Sequence, residues 1–141
     1  MSKSERYVSA LEERGLFENS GHKTRFKELV DCYGHYPFFT KGLCKCMYLS
    51  AWDQEHFAVI LQALADLAIG RERDTGDMRA QGDVLAEMQK DGEYYVYQLS
   101  NAFLDGKPFV LKEGTELSED FLYIIRRALE AEKVIEQADP L

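Results

Sequence analysis

The sequence predicts an all-α fold, a single-domain bundle of five or six helices over residues 1–141, because amphipathic helices must bury their apolar stripes against one another. Three observations lead there. Apolar residues recur at helical spacing along most of the chain. Capping residues stand ahead of several of those stripes. The composition, 45% hydrophobic with only 3 prolines and 10 glycines in 141 residues, suits one domain with a sizeable core and opposes disorder or a repeat.

The first helix is expected near 3–14. Ser2-x-x-Glu5 has the spacing of a capping box, Tyr7, Val8 and Leu11 share a face, and Gly15 supplies a stop. A second helix is expected near 22–34, where Phe26, Leu29, Val30 and Tyr33 follow the i, i+3, i+4, i+7 rule after Ser20 and Thr24 and before Gly34 and Pro37. Tyr36 is kept out of the helical region by Pro37, so residues 37–40 read as a turn.

Thr40 can cap a short helix to about Leu49, and Ser50-x-x-Asp53 restarts the chain into a core helix from 51 to 69. That helix carries Phe57, Ile60, Leu61, Leu64 and Ala68 on one face and ends before Gly70. Residues 71–76 have no apolar side chain and read as an exposed connector. From Met78, the positions Leu85, Met88, Tyr95, Leu99 and Phe103 fit a long helix, although Gly82 and Gly92 each cost it about 1 kcal/mol relative to alanine.

A β-hairpin joining 93–99 to 107–112 is the rival for that region, since Asp91-Gly92 is a turn signal and Glu93 to Tyr97 is rich in strand-favouring residues. The helix is preferred. Its period continues across Gly92, whereas Tyr94 to Tyr97 does not alternate. In the last helix, Leu117 and Leu122 flank Ser118 as a hydrophobic staple, Glu119 and Asp120 favour the dipole, and Phe121, Ile124, Ile125, Ala128 and Ile135 form the apolar face to about Gln137.

The chemistry-bearing residues concentrate in one window. Cys32, Cys44 and Cys46 are all the cysteines, and His35, His56 and Trp52 lie among them. Cys32, His35, Cys44 and Cys46 supply the four donors of a structural zinc site. In a helix over 40–49, however, Cys44 and Cys46 would point about 200° apart, so these thiols read better as small core groups.

Cys32 with His35, oriented by Asp31 or Asp53, would be a minimal nucleophile and base, but no family signature surrounds them. Asp53-x-x-His56 is a fragment of a di-iron helix motif with no second copy. Phosphate-binding glycine loops, H-E-x-x-H and G-x-S-x-G do not occur, and neither enzymatic activity nor a cofactor is expected.

The net charge is −8, and it is uneven. Residues 71–141 hold 9 basic and 16 acidic side chains, a deficit of seven out of the eight. Such a field opposes direct binding to nucleic acid and to anionic membrane surfaces. The N-terminal segment lacks a signal-peptide core, no apolar stretch approaches the about 18 residues of a membrane helix, and an odd cysteine count makes a poor disulfide framework. A cytoplasmic protein with free thiols is expected.

The surface most suggestive of function is the acidic series Glu72, Asp74, Asp77, Asp83, Glu87, Asp91 and Glu93 with Tyr94, Tyr95 and Tyr97 beside it. Carboxylates steer association with a basic protein, and tyrosine is enriched where binding energy concentrates. The expectation is therefore a non-enzymatic interaction module, in its concrete form an inhibitor competing with nucleic acid for a basic groove. Its alternatives are a zinc- or thiol-dependent domain built on Cys32 to His56, and a structural subunit that self-associates as a homo-oligomer.

Overall fold

The computed structural model describes residues 2–52, 54–69, 92–109 and 118–138. Among them are six helices and no strand: α1 (Lys3–Glu13), α2 (Ser20–Tyr33), α3 (Lys41–Ser50), α4 (Gln54–Ala68), α5 (Gly92–Asp105) and α6 (Glu119–Gln137). The all-α bundle is thus established. Residues 93–99 are helical, so the hairpin does not form. The expected helical residues between Met78 and Asp91, with the exposed connector at 71–76, lie outside the described residues.

Local chemistry sets the helix ends. The Ser2, Thr40 and Ser118 side chains accept from the amides of Glu5, Leu43 and Phe121 at 3.2, 3.1 and 3.4 Å. Each satisfies an amide that the first turn cannot pair. For α2 the cap is Asn19, whose Oδ1 accepts from the His22 amide at 2.8 Å, so this helix begins two residues earlier than predicted. Gly15 and Gly106 take φ of +63° and +67° and close α1 and α5. The following amides, Leu16 and Lys107, reach back to Leu11 and Ala102 at 3.1 and 3.0 Å, the six-to-one bond of a Schellman end.

α3 is the centre of the bundle. It packs most broadly on α5 and α6 and also touches α2 and α4, while α1 lies against α2 and α6. Leu43, Cys44, Cys46, Met47, Tyr48 and Leu49 are all buried, as expected of a helix that is apolar nearly all round. The core helix predicted over 51–69 is present as α4, with its start shifted to Gln54. Ala51 and Trp52 finish the α3 end, position 53 is not described, and α4 starts at Gln54. α4 buries Ile60, Leu64 and Leu67 but leaves Val59 52% and Ile69 63% exposed.

At the start of α3, Gly42 lies against the backbone of α5: a Cβ there would stand 2.3 Å from the Phe103 carbonyl oxygen. Leu99 and Phe103 of α5 and Ile125, Ala128, Ala131 and Ile135 of α6 complete the core. No described helix is long and apolar enough to cross a membrane.

Candidate functional site

The four candidate zinc donors do not come together. Cys32 and His35 are exposed at the C-terminal end of α2, whereas Cys44 and Cys46 are buried within α3 at 0% and 2% exposure. No group of three or more His, Cys, Asp or Glu among the described residues has metal-site geometry. None of the three cysteines forms a disulfide. The physical reason is that α3 is surrounded: side chains pointing in opposite directions from it still enter apolar core.

Burial pushes the Cys44 thiol well above its usual range, with the neighbouring Cys46 adding to the effect. Cys46 donates to the Ser100 carbonyl of α5 at 3.1 Å. Asp31, a candidate orienter of His35, instead accepts from Ser4 Oγ and, at 2.9 Å, from Lys27. The Ser4 hydroxyl is the main reason its carboxyl sits below the usual carboxylate range. Its carboxylate thus ties α1 to α2. His56 is half-buried on α4, and Asp53 lies outside the described residues.

Of the acidic and tyrosine surface, Glu72, Asp74, Asp77, Asp83, Glu87 and Asp91 lie outside the described residues, as do the side chains of Glu93, Tyr94 and Tyr97 on α5. Tyr95 is described: it is half-buried and packs against the core, in line with the helical stripe through Tyr95, Leu99 and Phe103.

The densest polar arrangement surrounds His22, which has no candidate role in the sequence reading. Its ring is fully buried, bracketed by Phe17 at 5.3 Å, Tyr48 at 4.7 Å and Trp52 at 5.1 Å between ring centres. The Glu18 amide donates to Nδ1 at 3.2 Å, so the ring proton sits on Nε2, which donates to the Tyr48 carbonyl at 2.9 Å. Desolvation lowers the His22 pKa to about 4, outweighing the Tyr48 carbonyl, and Arg25 lowers it further. The imidazole is neutral at pH 7.

The same region ties four elements together. Arg25 donates to the Ala51 and Trp52 carbonyls at 2.8 and 3.0 Å, satisfying the end of α3. Tyr48 Oη donates to the Leu16 carbonyl, and burial raises that phenol far above its usual range. From α6, Tyr123 Oη and Arg127 Nε both donate to Glu18 Oε1, at 3.0 and 3.2 Å, and Arg127 also reaches the Gly15 carbonyl. One signal in the sequence points to this histidine: His22 continues the Phe26, Leu29, Tyr33 stripe one turn toward the N-terminus.

On another side of α3, Lys45 is only 8% exposed, its ammonium 2.8 Å from Glu136 and 3.5 Å from Glu132. Lys41 adds a bond to the Glu136 carbonyl at 2.8 Å. A groove of about 370 Å³ lies there, lined by Lys45, Glu132, Lys133, Glu136 and Gln137. Lys45 bridged to two carboxylates fastens α3 to α6, and with Lys133 the lining sums to no net charge that would hold a small ion.

Compared with known proteins, the chain matches no family model, no curated protein and no solved structure.

Proposed function

We propose that this protein is a non-enzymatic interaction module that binds a basic partner protein through the acidic surface of residues 72–93. One observation carries the proposal, namely that seven of the eight excess negative charges fall in residues 71–141. A net negative field of this kind raises the rate of encounter with an oppositely charged surface and repels phosphate backbones. The concrete form is an inhibitor that occupies a groove the partner otherwise uses for nucleic acid.

What the described reactive groups do is compatible with this reading. His22, Cys44, Cys46 and Tyr48 are enclosed in the core, and Lys45 and Asp31 are spent on helix-to-helix contacts.

The test compares the unaltered protein with the triple reversal Asp77→Lys, Asp83→Lys, Glu87→Lys. Partners are captured from the native host and association is then measured against salt and against a competing oligonucleotide. The reversal should slow association and flatten its salt dependence, and the oligonucleotide should displace the unaltered protein from its partner. Undiminished binding by the reversed protein would refute the acidic surface. Tight binding of free DNA or RNA by the unaltered protein would refute the electrostatic reasoning beneath it.

A second reading, self-association, draws on the exposure of Val59 on α4 and of Ile69 just past its end. The solution mass from light scattering separates a monomer from an oligomer.

A further inference from the structure

We propose that Phe17 and Glu18, in the connector between α1 and α2, form an acid-released latch: a proton on His22 releases the Glu18 amide from the His22 ring and Phe17 from Tyr48, while Leu16 and the surrounding helices stay in place. The device follows from the hydrogen-bond inventory of one ring. In the neutral imidazole both nitrogens are used, Nδ1 accepting from the Glu18 amide and Nε2 donating to the Tyr48 carbonyl. Protonation places a second N–H on Nδ1. Two donors then face each other across the contact that seats the connector, and the bond cannot persist.

The charges around the ring make the imidazolium hard to hold in the closed state. Arg25 on α2 and Arg127 on α6 oppose it, and Glu18, in the connector itself, is the one charge that favours it, beside the Tyr48 carbonyl that accepts from Nε2. That carboxylate already accepts from Arg127 and Tyr123. Tyr48 on α3 contributes a neutral phenol bonded to the Leu16 carbonyl, and Trp52 and Phe17 present ring faces and edges. Water is the remaining source of solvation. It reaches the imidazolium when the connector lifts.

The segment that moves is short. Leu16, 1% exposed, stays in the core with its carbonyl on Tyr48. Beyond it, the long-range polar holds besides His22 are those of the Glu18 carboxylate on Tyr123 and Arg127 of α6. α2 keeps Phe26, Leu29 and Val30 buried, and α3 is buried nearly all round. Opening would bare the Tyr48 ring that Phe17 packs against, and Trp52 senses it through the His22 ring. The latch does not depend on the docking surface proposed above.

The experiment follows the unaltered, 15N-labelled protein from pH 7 to pH 3.5, reading the His22 ring nitrogens, amide hydrogen exchange at Glu18, and the fluorescence of Trp52, the one tryptophan of the chain. Expected are an Nε2–H tautomer at pH 7 and ring protonation well below the usual histidine range. At the same midpoint, Glu18 protection should fall at least about tenfold and Trp52 emission should change, with α2 and α3 amides still protected.

Glu18 protection unchanged through the His22 titration would overturn the latch. So would a ring that titrates as a solvated histidine, or loss of protection at all amides together. His22→Gln, which keeps a donor for Tyr48 but cannot become charged, should abolish the pH response of the Glu18 amide. If that variant retains the response, the latch is wrong. If it does not fold, the titration of the unaltered chain decides by itself.

Discussion

Replacing Gly42 by alanine sets helix propensity against close packing, and the two forces predict opposite signs. By propensity alone, alanine in a helix gains up to about 1 kcal/mol over glycine. The new Cβ, however, would stand 2.3 Å from the Phe103 carbonyl oxygen, 3.1 Å from its carbon and 3.3 Å from the Leu104 Cα. All three are backbone atoms, so no side chain can swing aside. The Phe103 carbonyl is itself fixed by the Gly106 amide at 3.2 Å.

Relief therefore requires α3 and α5 to separate by about 1 Å, loosening Phe103 and Leu99 in a core where overpacking typically costs about 1–3 kcal/mol. Because only backbone can yield, the cost falls in the upper part of that range, about 2–3 kcal/mol, and subtracting a propensity gain of about 1 kcal/mol leaves a net loss of about 1–2 kcal/mol. Urea unfolding followed by far-UV circular dichroism measures it. With a slope of about 2 kcal/mol per molar for a domain of this size, the midpoint should fall by roughly 0.5–1 M at unchanged slope. An unchanged or raised midpoint would mean that α3 and α5 do not meet here backbone to backbone.

Other perturbations test separate parts of the structure. Lys45→Met keeps the buried stem and removes the charge, so stability should change by less than about 1 kcal/mol, while Lys45→Ala should lose about 2 kcal/mol through lost packing. Equal melting temperatures for the two variants would contradict the burial of that stem. In the native protein, a thiol reagent at pH 8 should label Cys32 rapidly and Cys44 and Cys46 only on unfolding, because two of the three thiols are enclosed. Rapid labelling of two or three would place α3 outside the core. For His22 the folded pKa of about 4 lies below the ordinary histidine value of 6.5, so its contribution is fully present above pH 6.5 and is lost as pH falls through 4. The loss amounts to about 2 kcal/mol at pH 5. Urea midpoints at pH 7 and pH 5 should converge in His22→Gln by that amount, and an equal pH dependence in both proteins would exclude His22 as its source.

Helix positions were legible in the sequence wherever the governing interaction is local. Ser2, Thr40 and Ser118 cap the helices they precede because a side-chain oxygen three residues ahead of an unpaired amide needs no tertiary context. The start of α2 is less clear for the same reason. Asn19, Ser20 and Thr24 all have capping chemistry, and only the extended backbone at Asn19 decides among them. α3 shows the opposite limit. Periodicity detects a helix with one wet face, so Leu43 to Leu49, apolar nearly all round, has a weak stripe, although it forms the centre of the bundle. α4 has a clean stripe because its other face is exposed.

The site chemistry was harder to read because it depends on pairs far apart in the chain. His22 meets Tyr48, Glu18 meets Arg127, and Lys45 meets Glu132 and Glu136, and no spacing rule spans such separations. Crowding in sequence is a poor guide to convergence in space when the crowded segment includes the central helix. Cys44 and Cys46 are close to Cys32 in number because a short turn joins α2 to α3, but that turn leaves Cys32 at an exposed helix end and sends the other two into the core. The residues between Cys32 and His56 therefore record how a core helix is filled and flanked. The polar cluster that does assemble is centred ten residues earlier, on a histidine whose neighbours come from three other parts of the chain.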